Sequence, residues 1–547
     1  MSDSGTRAVE TDVGDAAGLA EGAMRVVEQD GAKVLLARSG GRCHAVGAVC
    51  PHAGGPLNEG VLHDGAVLCP WHKAAFRLDT GRCVAPPAVD DLPRYGLRTE
   101  AGRLLLGPAL STPAPEAADT DPRVMVILGT GAAGTAAAQA LREEGFGGRV
   151  LLVGREDRLP YDRTVLSKYD LSGQKGGEKT PLHPAGFYDR QRIERRVADV
   201  TEVDPAARRV RFADGASLTY DAALLATGGE PRRLEVPGGD LPGVCVLRTP
   251  DDVAAILARA QGARHAVVAG AGFIGMEAAA SLRERGLEVT VVAPGAAPLE
   301  KQLGPEVGAV FRRVHERAGI AFRLGDEIVA VEGQDQVRSV RLKSGATLPA
   351  ELVIVGLGVA PATGMLRGLP LREDGGIDTG PDLRIADGLY AAGDIAGVPY
   401  GPGGKTIRVE HWRVAMQQGR VAALNMLGTM PGAMPKTMPG AMPKTMPGGG
   451  AVFDAVPYFW TIHFKKRLDY VGHAEAWDAV TIDGDLEAPA FLAFYAKAGR
   501  VQAVAGWGRD QAMARVIGLM TDRRDWDLPA LRAALAAAEQ AAGPDGT

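Results

Sequence analysis

Two segments of this chain repeat one demanding pattern. An apolar run leads into Gly-x-Gly-x-x-Gly, and a stretch of small, helix-favouring residues follows. In the first segment Val124–Leu128 feeds Gly129-Thr130-Gly131-Ala132-Ala133-Gly134; in the second, Ala266–Ala269 feeds Gly270-Ala271-Gly272-Phe273-Ile274-Gly275. Strand, glycine turn and helix in this order let the backbone approach a pyrophosphate at a helix N-terminus. The units, 124–153 and 266–292, start about 140 residues apart, which predicts α/β architecture with parallel sheets and two dinucleotide sites.

The acids downstream differ. Glu156 follows the second strand of the first unit and is placed to accept from ribose hydroxyls. In the second unit the strand Val289–Val292 ends at Ala293-Pro294, with neither a carboxylate for a ribose nor an arginine for a 2′-phosphate. Ala293–Ala297 holds no Arg or Lys, and Glu300 precedes Lys301, so the expectation leans to NADH over NADPH.

Residues 24–107 read as short strands between turns, among them Val34–Ala37, Val61-Leu62 and Val67-Leu68. Within them stand Cys50-Pro51-His52 and Cys69-Pro70-Trp71-His72. Two Cys and two His could hold one zinc, or a two-iron cluster with thiolates on one iron and imidazoles on the other. Zinc loops usually pair Cys with Cys and His with His; here each loop supplies one of each. The context CPHAGGPLNEG…CPWHKAAFRLDTG resembles the Rieske ferredoxin family. The resemblance makes Cys50, His52, Cys69 and His72 the ligands of a [2Fe-2S] cluster, with the imidazoles facing solvent as an electron exit. Neither loop carries the extra cysteine of respiratory Rieske proteins, which resembles the soluble subtype. Where the family commonly has Gly after CPWH, this chain has Lys73. If the turn requires a positive φ, Lys73 is strained; if not, it places a cation beside the cluster. Cys43, Cys83, His44 and His63 are expected to be structural.

Further motifs follow in order: Pro160-Tyr161-Asp162-Arg163, Leu166-Ser167-Lys168, Ala226-Thr227-Gly228-Gly229, Ala391-Ala392-Gly393-Asp394, Glu410-His411-Trp412 and Phe459-Trp460. Together they resemble the two-dinucleotide flavoprotein reductases, the ferredoxin reductases of oxygenase systems and the apoptosis-inducing factors. With the Rieske segment in front, the whole order resembles Rieske-containing apoptosis-inducing-factor-like proteins. By that resemblance Gly129, Gly131, Gly134 and Glu156 take FAD, and Asp394 binds its ribitol. Arg163, Lys168, Thr227, Gly228, Glu410, His411 and Trp460 lie at the flavin. Gly270, Gly272 and Gly275 take NAD(P)H, and Glu277 stands near the nicotinamide, with Lys168 and Glu277 as catalytic residues.

The expected fold is therefore multidomain: a small all-β Rieske domain, an α/β flavoprotein with FAD and NAD(P) domains, and an α+β C-terminal domain. The expected boundaries are 1–107 for the Rieske domain, 108–122 for a Pro/Ala linker, 123–248 with 375–428 for FAD, 249–374 for NAD(P)H, and 451–547 for the C-terminal reductase domain, closed by a helix near 529–541. Between the last two, 429–450 repeats TMPGAMPK and reads as an exposed, semi-extended loop.

A net charge of −5 excludes a strongly basic nucleic-acid binder. No stretch reads as a membrane span or a secretory signal. Five cysteines are too few for a disulfide scaffold and fit a reducing cytoplasm. No cysteine stands between Glu156 and Tyr220, which excludes a disulfide reductase or cysteine peroxidase of this fold. The expected activity is an FAD-dependent NAD(P)H oxidoreductase that passes electrons through FAD to its own cluster and on to an unidentified small-molecule or protein acceptor. Two alternatives stand beside it, a reductase component of a multicomponent oxygenase and a redox-sensing interaction protein. The sequence does not specify an oligomeric state.

Overall fold

The structure is a computed structural model that describes residues 10–110, 121–173, 181–401, 403–428 and 450–541. The repeat at 429–449 and most of the segment read as a linker lie outside these residues. Pro108–Leu110, read as linker, instead complete the strand Arg103–Leu110, paired with Arg94–Glu100 beyond a register shift.

The N-terminal part is two antiparallel sheets. A six-stranded sheet has Arg94–Glu100 and Arg42–Gly47 at its centre, with Ala32–Ser39 beside the latter; a four-stranded sheet runs Val61–His63, Ala66–Leu68, Ala75–Arg77, Cys83–Ala85. Leu35, Val46, Leu57, Val67 and Phe76 fill the space between them. Short strands with turns at each end leave the connecting loops free to carry ligands, and both Cys/His loops are such connections.

The first glycine unit starts a six-stranded sheet. Val124–Leu128 pairs in parallel with Arg149–Gly154 on one side and Ala222–Leu225 on the other. Leu389–Ala391 returns from far along the chain to pair with Ala222–Leu225. The second unit builds a five-stranded parallel sheet around His265–Ala269, Glu288–Ala293 and Leu352–Val355. Strands such as Met125–Leu128 are apolar without alternation because both faces are covered, one by helices Ala132–Glu143 and Trp412–Leu427 and the other by the meander that starts at Val200–Asp204. Each nucleotide half also carries a three-stranded antiparallel meander, at Val200–Asp204 and at Ile328–Glu332, so the two halves repeat one design.

The C-terminal part is a five-stranded antiparallel sheet with Tyr458–His463 at one edge, followed by helices Asp510–Asp522 and Leu528–Ala541. The sequence reading expected the second helix and did not resolve the first. The N-terminal part is not tethered loosely to the rest. Leu68 and Ala75 of its smaller sheet share one apolar core with Val456, Tyr458, Trp460 and Val471. Gln139 of the first fingerprint helix donates to Val89 O at 2.7 Å.

Candidate functional site

The two glycine turns open on one continuous cleft of about 940 Å³. Their geometry is duplicated. Gly129 and Gly270 have φ of +119° and +107°, which a side chain adopts only with strain. A Cβ at Gly134 would lie 1.8 Å from Gly129 O, and one at Gly275 would lie 2.3 Å from Gly270 O. These glycines allow helix to press on strand. By contrast, Gly131 and Gly272 face open space. They precede helices Ala132–Glu143 and Phe273–Glu284, neither with a side-chain cap nor an acid in its first turn. The helix N-terminal amides are thus left for an anionic ligand, once per fingerprint.

Around the first turn the cleft is lined by Glu156, Arg163, Lys168, Thr227, Gly228 and Asp394. Glu156 takes a short ion pair from Arg163, 2.5 Å, and a hydrogen bond from the Tyr161 hydroxyl, 2.8 Å. Asp394 is 3.2 Å from Arg248, and the Thr227 hydroxyl donates to Ala362 O. Glu410 pairs with Arg408, while burial pushes its carboxyl up. His411 packs against Phe459, 4.5 Å between ring centroids, and burial pushes its imidazole down to about 3, which favours the neutral ring. The residue lines the cleft, and its Nδ1 is buried without a protein partner. An orphaned buried nitrogen beside a nucleotide cradle fits a ligand that supplies the missing partner.

Where the two halves meet, Lys168 and Glu277 form a buried pair at 3.0 Å. Glu277 also accepts from the Ser167 hydroxyl at 2.5 Å and the Thr461 hydroxyl at 2.6 Å. Ser167, Lys168, Glu277 and Thr461 come from three separate parts of the chain. Ser167 was quoted in a motif without a role, and Thr461 was not singled out. The NAD(P)H half is lined by Gly270, Gly272, Gly295, Leu299 and Glu300. Glu300 folds back to accept from Ala296 N at 2.9 Å, which brings a carboxylate to the loop where the sequence showed none at the expected strand end. None of the five cysteines lines the cleft and none is in a disulfide.

The Cys/His loops lie at the edge of this cleft. Cys50 and Cys69 are buried and share a hydrogen bond. That bond, helped by the Trp71 and His72 amides, pushes the Cys69 thiol down and holds the Cys50 thiol up, so the two sulfurs share one proton between them. His52 Nδ1 and His72 Nδ1 are 3.1 Å apart. Two nitrogens bound at about 2.0–2.1 Å to one tetrahedral metal lie about 3.3–3.4 Å apart, so the imidazoles suit a single iron. Among the described residues no three Cys, His, Asp or Glu side chains converge on one point. A thiol pair and a separate imidazole pair fit a two-iron cluster and not a lone zinc ion. A Cβ at Gly55 would sit 2.8 Å from Cys69 Sγ, so the first loop closes over the second only with glycine there.

The imidazoles do not face solvent, contrary to expectation. His72 is 8% exposed, and its ring centroid lies 4.5 Å from that of Trp460, which lines the cleft. His52 Nε2 points to Asp162 Oδ2 at 3.8 Å, in the loop that precedes Arg163. The reason is the shared core: docking the smaller sheet on the C-terminal sheet turns this edge toward the cleft.

Lys73 meets both alternatives posed for it. Its φ is +58°, a left-handed conformation that costs a non-glycine residue about 1–2 kcal/mol. Its side chain is fully buried, with Nζ 2.8 Å from Asp469 and 2.5 Å from Pro70 O. Asp469 is itself 1% exposed and also pairs with Arg467 at 3.0 Å. Arg467 and Asp469 escaped the sequence reading. The available signal was three charges, Lys466, Arg467 and Asp469, in the strand Lys466–Gly472, of which Asp469 stands between the apolar Leu468 and Tyr470.

A cleft with two dinucleotide cradles moves reducing equivalents between two nucleotide cofactors, which makes this chain an oxidoreductase of the flavin and nicotinamide class with an iron–sulfur domain attached. Comparison with known proteins agrees. Residues 123–419 match the pyridine nucleotide-disulphide oxidoreductase family, and the chain belongs to it. Residues 10–96 match the Rieske [2Fe-2S] domain and 458–538 the reductase C-terminal domain. The chain is 36% identical to apoptosis-inducing factor 3 of Mus musculus over 525 residues, covering 92% of this chain and 83% of that protein. It is 35% identical over 384 residues to the ferredoxin reductase subunit of 5,5′-dehydrodivanillate O-demethylase from Sphingobium, covering 69% and 88%. It superimposes on the structure of a covalent putidaredoxin reductase–putidaredoxin complex with a TM-score of 0.68 at 30% identity, covering 77% of this chain and 99% of that one. FAD, NAD(P)H and a [2Fe-2S] cluster are accordingly its cofactors.

Proposed function

We propose that this chain oxidises NAD(P)H and carries the electrons through FAD to its own Rieske cluster, and from there to a separate redox partner. The observation that carries this reading is the contact of His72 with Trp460, 4.5 Å between ring centroids, at the wall of the flavin cleft. FAD held in this cleft would supply the exchange between a two-electron hydride donor and a one-electron centre.

The chain's own residues prepare that exchange. Gly129, Gly131 and Gly134 admit the FAD pyrophosphate, with Glu156 and Asp394 as hydroxyl acceptors; Gly270, Gly272 and Gly275 do the same for the nicotinamide nucleotide. Thr227 and Gly228 shape the crossing between the halves. Lys168 holds a positive charge inside the cleft, where it favours an anionic reduced flavin, and Glu277 fixes its direction. Ser167 and Thr461 occupy the two Glu277 oxygens and keep that carboxylate aimed at Lys168. Arg163 neutralises Glu156. Glu410, His411 and Trp460 close the flavin side and exclude water. Cys50 and Cys69 would hold one iron of the cluster, and His52 and His72 the other.

The chain divides at the boundaries expected from the sequence, with the Rieske domain extended to Leu110. Five unpaired cysteines support a reducing compartment such as the cytoplasm. No described helix is long and apolar enough to cross a membrane.

The test is stopped-flow mixing with NADH under anaerobic conditions, following flavin bleaching and cluster reduction separately. The expected result is flavin bleaching first, then cluster reduction at a rate independent of protein concentration. A cluster that stays oxidised while the flavin is reduced would overturn the reading.

A further inference from the structure

The second cluster loop is gripped from outside its own domain. Lys73, immediately after His72, inserts a fully buried ammonium against Asp469 of the C-terminal sheet at 2.8 Å. Arg467, two residues before Asp469, donates to Pro70 O at 3.2 Å and pairs with Asp510 at 2.6 Å. The Tyr458 hydroxyl stands 2.9 Å from Asp469 and 3.3 Å from Trp71 O. Thus Pro70, Trp71 and Lys73, three of the four residues that follow Cys69, are held by side chains nearly 400 positions away. Two cations, Lys73 and Arg467, face two carboxylates, buried Asp469 and half-exposed Asp510, so the charges of the cluster balance. A second contact lies on the same face. His63 pairs with Asp522 at 3.1 Å, and a Cβ at Gly518 would lie 2.9 Å from its ring.

We propose that Lys73 and Asp469 form a latch, a pair of positioning residues that locks the Rieske domain onto the reductase with its imidazole edge against Trp460. The proposal rests on the electron route given above and extends it to acceptor choice. While the latch holds, the face around Trp460 is occupied by the chain's own iron–sulfur domain. A separate ferredoxin cannot dock there and draw electrons from the flavin directly. Every one-electron protein acceptor must then be served by the cluster. The residue choice argues for this role. A left-handed turn is met without strain by glycine. Lysine accepts the strain here and gains a buried partner that only the docked arrangement supplies.

Two variants of the full-length holoprotein test this. Lys73→Gly removes the cation and relieves the turn; Asp469→Asn leaves the cluster loop sequence untouched. Two readouts are followed, amide hydrogen exchange across 66–77 and 458–470, and the flavin-to-cluster rate. With the latch lost, exchange in both segments is expected to rise tenfold or more and the flavin-to-cluster rate to fall at least tenfold. Cluster absorbance and NADH-driven flavin bleaching should stay as in the unaltered protein. Unchanged exchange in both variants overturns the latch, whatever the rate does. If the unaltered protein never reduces its cluster, the electron route fails instead, and the exchange data still judge the latch.

Discussion

The ring of His72 lies 4.5 Å from that of Trp460, at an interplanar angle of 46°. One residue belongs to the second Cys/His loop near the N-terminus, the other to the edge strand Tyr458–His463 of the C-terminal sheet. This contact joins the iron–sulfur domain to the wall of the nucleotide cleft with no solvent layer between. It turns the imidazole edge toward the cleft instead of toward solvent.

Replacing Trp460 by Leu removes the aromatic contact and leaves a gap between His72 and the cleft. A misplacement of about 1 Å at such a junction can cost on the order of 100-fold in rate. Stopped-flow traces of Trp460→Leu should show normal flavin bleaching by NADH and cluster reduction slowed by that order. Equal rates in both proteins would move the route elsewhere.

Cys69→Ser exchanges a buried thiol of the cluster loop for a hydroxyl. The visible absorbance of the cluster should vanish or change, while the protein stays yellow, because the flavin sheets have their own core. NADH should still bleach the flavin, and reduction of cytochrome c should collapse. Cytochrome c reduction at the unaltered rate would sink the idea that the cluster is the outlet.

Glu277 and Lys168 are both buried, so removing one partner strands the other. Glu277→Leu is expected to lower stability by about 3–5 kcal/mol and to slow hydride transfer. Calorimetry and the fast phase of flavin reduction check the two effects. Glu277→Gln keeps partners for Ser167 and Thr461 and should lie between the two proteins.

Glu300 brings a carboxylate to the nucleotide loop, which repels a 2′-phosphate. The kcat/KM for NADH should exceed that for NADPH by about tenfold or more, the ratio that 1.4 kcal/mol of discrimination gives. Glu300→Gln should narrow the ratio. A preference for NADPH in the unaltered protein would overturn this assignment.

Acid should destabilise the fold through its buried imidazoles. Burial pushes His183 and His315 down to about 4 in the folded state. Unfolded, each returns to about 6.5. Between those values the unfolded chain binds protons that the folded chain refuses, so stability is lost as pH falls from about 6.5 toward 4. Each group removes up to about 1.4 kcal/mol per pH unit in that window. Tm measured at pH 7.5 and pH 5 should differ less in His183→Gln than in the unaltered protein; an equal difference would exclude a role for His183.

Much of this protein could be read along the chain, because its chemistry is carried by short local patterns. Gly129 and Gly270 announce their turns, since only glycine fits a strongly positive φ against a neighbouring carbonyl. Cys50, His52, Cys69 and His72 announce a cluster, since ligands within one loop keep a fixed spacing. Ser167, Thr461 and Asp469 are different. Each acts through a partner more than 100 residues away, at 2.5 Å, 2.6 Å and 2.8 Å, and no local spacing encodes that meeting. The direction of the imidazoles likewise escaped the sequence. Whether His72 faces water or Trp460 depends on how two sheets bury Leu68, Ala75, Val456 and Val471 in one core. Local patterns determine which groups this chain can hold. The apolar surface buried between domains far apart in sequence decides which way those groups face.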